Sequence, residues 1–228
     1  MPDLFDLAYD GDVEALSSRL SAGTDVNEGN SDGWTALHGA CWGGHQDVLD
    51  LLLSHIPDLD LDRRSHVNGY TALLLACDNG HTSCVERILQ AGADAGLGND
   101  RGSTPLHHAA SGEVVQLLLG HAGDLGVRGW RGQTPVHTAC RWNRLSAVRV
   151  MLQHQADVNA RDDRGITPLM WAVTQTSWAE EDVVPLVKLL CQHQADLAVQ
   201  DDAGRDVLCV AEEKSLTQIV DFLKDRHR

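Results

Sequence analysis

With 228 residues, 43% of them apolar, the chain is long enough for one or two ordinary domains with a buried core. A net charge of −15 excludes strong non-specific binding to nucleic acid. The longest apolar stretches, such as 72–77, are too short to cross a bilayer, and the opening 1–6 segment has neither a basic region nor a secretory core. A cytoplasmic or nuclear protein is expected.

Residues 4–29 carry Ala8, Gly11, Leu16 and Leu20, then Gly23-Thr24-Asp25-Val26-Asn27. Next comes Gly33-Trp34-Thr35-Ala36-Leu37-His38, and that pattern returns. It reappears as Gly69-Tyr70-Thr71-Ala72-Leu73, Gly102-Ser103-Thr104-Pro105-Leu106-His107, Gly132-Gln133-Thr134-Pro135-Val136-His137 and Gly165-Ile166-Thr167-Pro168-Leu169. The threonines are 36, 33, 30 and 33 residues apart. Each Thr predicts a helix start, because its hydroxyl caps an orphan N–H while Pro fills the first helical position without losing a bond. The Gly two residues earlier suits a turn with positive φ. A second apolar run follows in each copy, from Val48, Val85, Val114, Val148 and Leu186, with helical spacing along one stripe. Gly92 is placed to end a helix in the left-handed cap conformation, a slot held elsewhere by Gln155 or Gln194. Residues 201–228 close the series with a charged last helix over 216–228.

The period and the Thr-Pro-Leu-His-x-Ala motif resemble the ankyrin repeat family over nearly the whole chain. The resemblance implies an all-α solenoid of stacked helix-turn-helix units with short β-hairpin loops. It implies one domain over 1–228, with a capping repeat at 1–29, repeats at 30–65, 66–98, 99–128, 129–161 and 162–200, and a closing repeat at 201–228. It also implies a monomeric, non-catalytic protein-interaction module without cofactor: an adaptor, inhibitor or assembly chaperone. A regulator of transcription acting through a bound transcription factor is the alternative; an enzyme would require a convergent catalytic pocket. Asn27 and Asn159 stabilise hairpins or, by the same resemblance, accept hydroxylation.

Cys41, Cys77 and Cys140 repeat one position, about 8–10 Å apart in stacked helices, which is too far for one metal ion. His38, His107 and His137 belong to the motif and should bond to local backbone and neighbouring turns. His45 and His81 open second helices; His55, His121, His154 and His193 sit at the negative end of a helix dipole. Gly96 to Gly102 only superficially resembles a dinucleotide loop, since no strand precedes it.

The candidate site is therefore a surface. Trp34, Tyr70 and Trp130 lie near turn glycines, and Trp42 and Trp142 lie just past the inner helix. By the resemblance these are groove positions, whereas Trp171 should be packed. Large exposed aromatics and arginines dominate binding surfaces. Segment 101–164 holds eight Arg, no Lys and five acids, a net +3 inside a chain of −15. Arg101, Arg131 and Arg164 each precede a turn glycine, and Arg141 precedes Trp142. The expectation is a groove that grips an acidic or carboxylate-bearing peptide or protein face. Local pairing with Asp100, Asp162 or Asp163 is the competing structural role. The 99–128 repeat lacks about three residues after Ala110, which should shorten its inter-helix loop; 174–182 carries about six extra, where Trp178 is either a second contact point or part of a loosely packed loop.

Overall fold

The computed structural model describes residues 2–55, 58–174 and 178–226. Fourteen α-helices occur among them, in two compact units, Met1–Gly123 and Asp124–Arg228. In the first unit, α1 (Leu4–Tyr9), α3 (Ala36–Gly43), α5 (Ala72–Asn79) and α7 (Pro105–His108) stack as an inner row. Helices α2 (Val13–Ser21), α4 (Gln46–Leu53), α6 (Thr82–Ala91) and α8 (Gly112–Gly120) stack behind them. The two rows differ in sequence for a physical reason. In α6 only Cys84, Val85, Ile88 and Leu89 are buried, one stripe on an otherwise polar helix. In α5 every residue from Ala72 to Cys77 is buried, because that helix has neighbours on both sides.

The second unit repeats the plan. Its inner row is α9 (Pro135–Arg141), α11 (Pro168–Thr174) and α13 (Val207–Glu213); its outer row is α10 (Leu145–Gln153), α12 (Glu180–Gln192) and α14 (Thr217–Arg226). Leu118, Met151, Leu169 and Met170 are among the largest fully buried side chains.

The Thr-x-x-His motif works as a relay between repeats. His38 Nδ1 accepts the Thr35 backbone N–H at 3.1 Å, and its Nε2 lies 3.0 Å from the Tyr70 carbonyl. A carbonyl only accepts, so the proton sits on Nε2 and the neutral ring ties one repeat to the next. His137 does the same between Thr134 and the carbonyl of Ile166. His45 and His81 reach back instead, donating to the carbonyls of Tyr9 and Trp42 at 2.8 and 3.0 Å. Burial lowers the His38 pKa to about 4. Between pH 6.5 and 4 the unfolded chain therefore binds a proton that the folded chain refuses. Stability is full above that window and falls as pH drops through it, by up to about 3 kcal/mol. Urea midpoints of wild type and His38→Gln should lie closer together at pH 4.5 than at pH 7; a gap independent of pH contradicts this.

Side chains also staple the turns. Asn27 donates to the Asp58 carbonyl and accepts from the Asp60 N–H at 2.8 Å; Asn159 treats Gln194 and Asp196 identically. The turn glycines preceding each Thr, such as Gly33 and Gly132, have φ of +78 and +69, and Gln155 and Gln194 sit at +62 and +66. Among the described residues the hairpins that start at Asn30, Asn99, Asp162 and Asp201 are built by Asx turns rather than strands. Asn30 Oδ1, for example, accepts from both Asp32 and Trp34, and Gly29 and Thr35 form an isolated bridge.

Both irregular repeats resolve differently from expectation. The deletion after Ala110 shortens the inner helix rather than only the loop: α7 has four residues, and Ala109 turns extended at ψ 109. Ser111 then caps α8 directly. The insertion lengthens the following helix, since α12 begins at Glu180 and runs for 13 residues. Residues 175–177 of the inserted segment lie outside the described residues.

Candidate functional site

The ten sequence candidates divide between the units. Trp34, Trp42, Tyr70 and Arg101 belong to the first, and Trp130, Arg131, Arg141, Trp142, Arg164 and Trp178 to the second.

In the first unit the rings form one patch. Trp34 lies 5.9 Å from Trp42, 6.5 Å from Tyr70 and 5.2 Å from His38, centroid to centroid. Two rings that sequence reasoning passed over join it. Phe5 and Tyr9, one helical turn apart on α1, stack at 6.0 Å, and both meet Trp42 edge-on at about 6 Å. Tyr9 and Trp42 remain 43% and 39% exposed. The patch is held from behind: the Trp34 N–H bonds to Asn30, the Tyr70 N–H to Ser65, and the Tyr9 and Trp42 carbonyls to His45 and His81. Arg101 lies near the Tyr70 edge of the patch; burial pushes the Tyr70 phenol up, and the Arg101 charge offsets only part of that.

In the second unit arginines and indoles interleave. The Arg131 guanidinium sits 4.3 Å above the Trp130 ring, at a turn where Arg131 itself is left-handed with φ +56. Arg141, ending α9, lies between Trp142 at 5.5 Å and Trp171 at 5.2 Å; Arg164 approaches Trp171 at 5.3 Å. Trp142 is 53% exposed, whereas Trp171 is packed as expected. Successive turn tips are joined by backbone bonds of 3.0 Å, Asp163 N–H to the Arg131 carbonyl and Asp202 N–H to that of Arg164. Arg131 and Arg164 thus occupy neighbouring tips.

Two of the three carboxylates that could have neutralised these arginines, Asp162 and Asp100, are engaged elsewhere, while the exposed Asp163 lies against Gly132 at the turn tip. Asp162 is buried: one oxygen accepts the N–H groups of Arg164 and Ile166, and the other accepts the Trp171 indole N–H at 3.0 Å. Asp100 pairs with Arg64 at 2.7 Å. Among the described residues, Arg131, Arg141 and Arg164 enter no ion pair. Arg128 and Arg161 have the opposite role. They donate to the carbonyls of Arg161 and Gln200 and clip adjacent hairpins together. Beside Trp171 a cleft of about 210 Å³ is lined by Arg164, Lys214 and Arg205, the last offset by Asp201 and Glu213. Trp178 is a separate exposed ring ahead of α12.

The family model for ankyrin repeats matches residues 4–98, 58–128, 79–162 and 112–201, most of the chain. The chain belongs to the ankyrin repeat family. Its structure is similar to that of the human ASB11 ankyrin repeat domain, with a TM-score of 0.79 and 26% identity over 95% of this chain and 97% of that one. The ankyrin-repeat solenoid is thereby the fold class, and the family's fold is a protein-interaction scaffold. Among relatives, the probable E3 ubiquitin-protein ligase XBOS31 of Oryza sativa subsp. japonica is 35% identical over 126 residues, 53% of this chain and 28% of that protein. The Notch-regulated ankyrin repeat-containing protein of Homo sapiens is 42% identical over 45 residues, 20% of this chain and 40% of that protein. The SMC5-SMC6 complex localization factor protein 1 of Bos taurus is 41% identical over 98 residues, 41% of this chain and 9% of that protein. The chain spans less than half the length of these relatives. Among the described residues no helix is long and apolar enough to cross a membrane.

Proposed function

We propose that this ankyrin-repeat protein is a non-catalytic, monomeric adaptor, inhibitor or assembly chaperone of the cytoplasm or nucleus. Its second unit holds an acidic or carboxylate-bearing segment of a partner protein. One observation carries the reading: three guanidinium groups lie against indole faces while Asp162 is consumed by backbone and indole N–H groups. Stacking fixes each guanidinium plane and leaves its N–H edge pointing outward to meet a carboxylate. Trp142 and Trp130 supply apolar contact beside those edges, and Trp178 extends the contact as a separate point. Trp34, Trp42, Tyr70 and Arg101, expected in the same acid-gripping groove, are set aside from this role. Their unit holds 18 carboxylates against five arginines, which repels an acidic ligand.

Calorimetry with a synthetic peptide bearing four glutamates, against its glutamine counterpart, tests the reading. The glutamate peptide should bind more tightly. Arg141→Gln with Arg164→Gln should weaken it roughly 100-fold, as expected for two lost charge-assisted bonds. Equal affinity for both peptides, or an unaffected double variant with wild-type circular dichroism, would sink the proposal.

A further inference from the structure

We infer that the first unit carries a second docking surface of opposite preference, for an arginine- or lysine-bearing segment of a partner protein. The patch of Phe5, Tyr9, Trp34, Trp42 and Tyr70 contrasts with the second unit in one decisive respect. There, arginines of the chain itself already cover Trp130 and Trp171. Here, among the described residues, no arginine or lysine stacks on Phe5, Tyr9, Trp34 or Trp42. Tyr9 and Trp42 are exposed with no such cation over them, and a cation is the polar group that an aromatic face attracts.

Charge selects the same occupant. Of the chain's −15, the first unit carries −13 and the second −2, and the first unit contains no lysine at all. Two of its five arginines are spent on Asp100 and Asp50. Asp6 on α1 and Asp10 at its C-cap each follow an aromatic residue of the patch, Phe5 and Tyr9, Asp32 stands two residues before Trp34, and all three are exposed. Asp78 lies 3.6 Å from the His108 ring, which itself meets Tyr70 at 5.4 Å. Arg63 and Arg101 border the turn side, near His38 and Tyr70. The negative, uncovered end is therefore where α1 packs on α3, at Tyr9 and Trp42. A basic segment crossing there meets ring faces for its guanidinium or ammonium groups and carboxylates for its excess charge. Burial of two large aromatic surfaces by a side chain that remains partly hydrated fits the rim position of Trp42.

The test uses the full chain and a synthetic peptide with four arginines, against one with four glutamines, read by fluorescence anisotropy. The arginine peptide should bind and the glutamine peptide should not. Tyr9→Leu with Trp42→Leu keeps both side chains apolar, though smaller, but removes the π faces, and should weaken binding about 5- to 30-fold. Tyr9→Phe with Trp42→Phe keeps them and should retain most of the affinity. Arg141→Gln with Arg164→Gln, which cripples the acidic-peptide surface, should change nothing here, so the two proposals fail separately. If Glu14→Gln with Glu86→Gln and Glu113→Gln on the outer helices cost as much as the leucine pair, the attraction is net charge alone and the inference is overturned. It is also overturned if sedimentation shows a dimer that the leucine pair dissolves, which would assign the patch to a second copy.

Discussion

Leu118→Ala is expected to lower stability by about 2–5 kcal/mol, the usual cost of emptying a fully enclosed site. Leu118 has no exposed surface, and its helix α8 packs against α6 and α7. The site is poorly placed to collapse around the cavity. Its inner helix, α7, has four residues and so contributes few internal hydrogen bonds of its own. Stability in a repeat array passes between neighbours, so the loss should spread through α5 to α8 rather than stay local. Urea unfolding followed by circular dichroism measures it, with a melting temperature lower by roughly 5–15 °C. A change below 1 kcal/mol would show that α8 is not tightly packed. Binding of the glutamate peptide, a property of the other unit, should stay near wild type.

The second large effect is expected at Asp162. Its carboxylate satisfies two backbone N–H groups and one indole N–H; the bonds from Ile166 and Trp171 are buried and that from Arg164 is part-buried. Asp162→Ala leaves those donors without partners, at about 1–3 kcal/mol for each that water cannot reach; a net loss of about 3 kcal/mol is expected. Asp162→Asn separates the two halves of the role. The amide oxygen can still accept from Arg164 and Ile166, but the amide nitrogen would then face the Trp171 indole N–H, donor against donor. The asparagine variant should therefore fold yet lose the fixed Trp171 platform on which Arg141 and Arg164 rest. Its affinity for the glutamate peptide should fall, with a loss of stability of about 1–3 kcal/mol for the orphaned indole N–H, smaller than that of the alanine variant. An asparagine variant with wild-type affinity would show that the platform does not depend on this bond.

The fold was legible because ankyrin repeats advertise their local chemistry. Thr35, Thr104 and Thr134 cap helices with a histidine three residues on, and Gly33, Gly102 and Gly132 take positive φ. Both follow from residue type and need no tertiary information. The site was only half legible, because residue type does not say what an arginine touches. Arg128 and Arg161 precede the hairpins and staple carbonyls, while Arg131 and Arg164 precede glycines and lie on indoles. All four look alike in a charge count. Phe5 and Tyr9 escaped notice because they stand in the atypical first repeat, although their i, i+4 spacing was a visible signal. The unequal charge of the two halves, −13 against −2, was also countable, but it had no meaning until the units were defined. The shortened α7 and lengthened α12 depend on packing against neighbours, which no local pattern encodes.

Indole N–H signals in a nitrogen-15 correlation spectrum provide the most direct measurement of the binding account. Titrating the glutamate peptide should shift Trp130, Trp142 and Trp171 in step and leave Trp34 and Trp42 where they are. Shifts confined to Trp34 and Trp42, or none at saturating peptide, would contradict it.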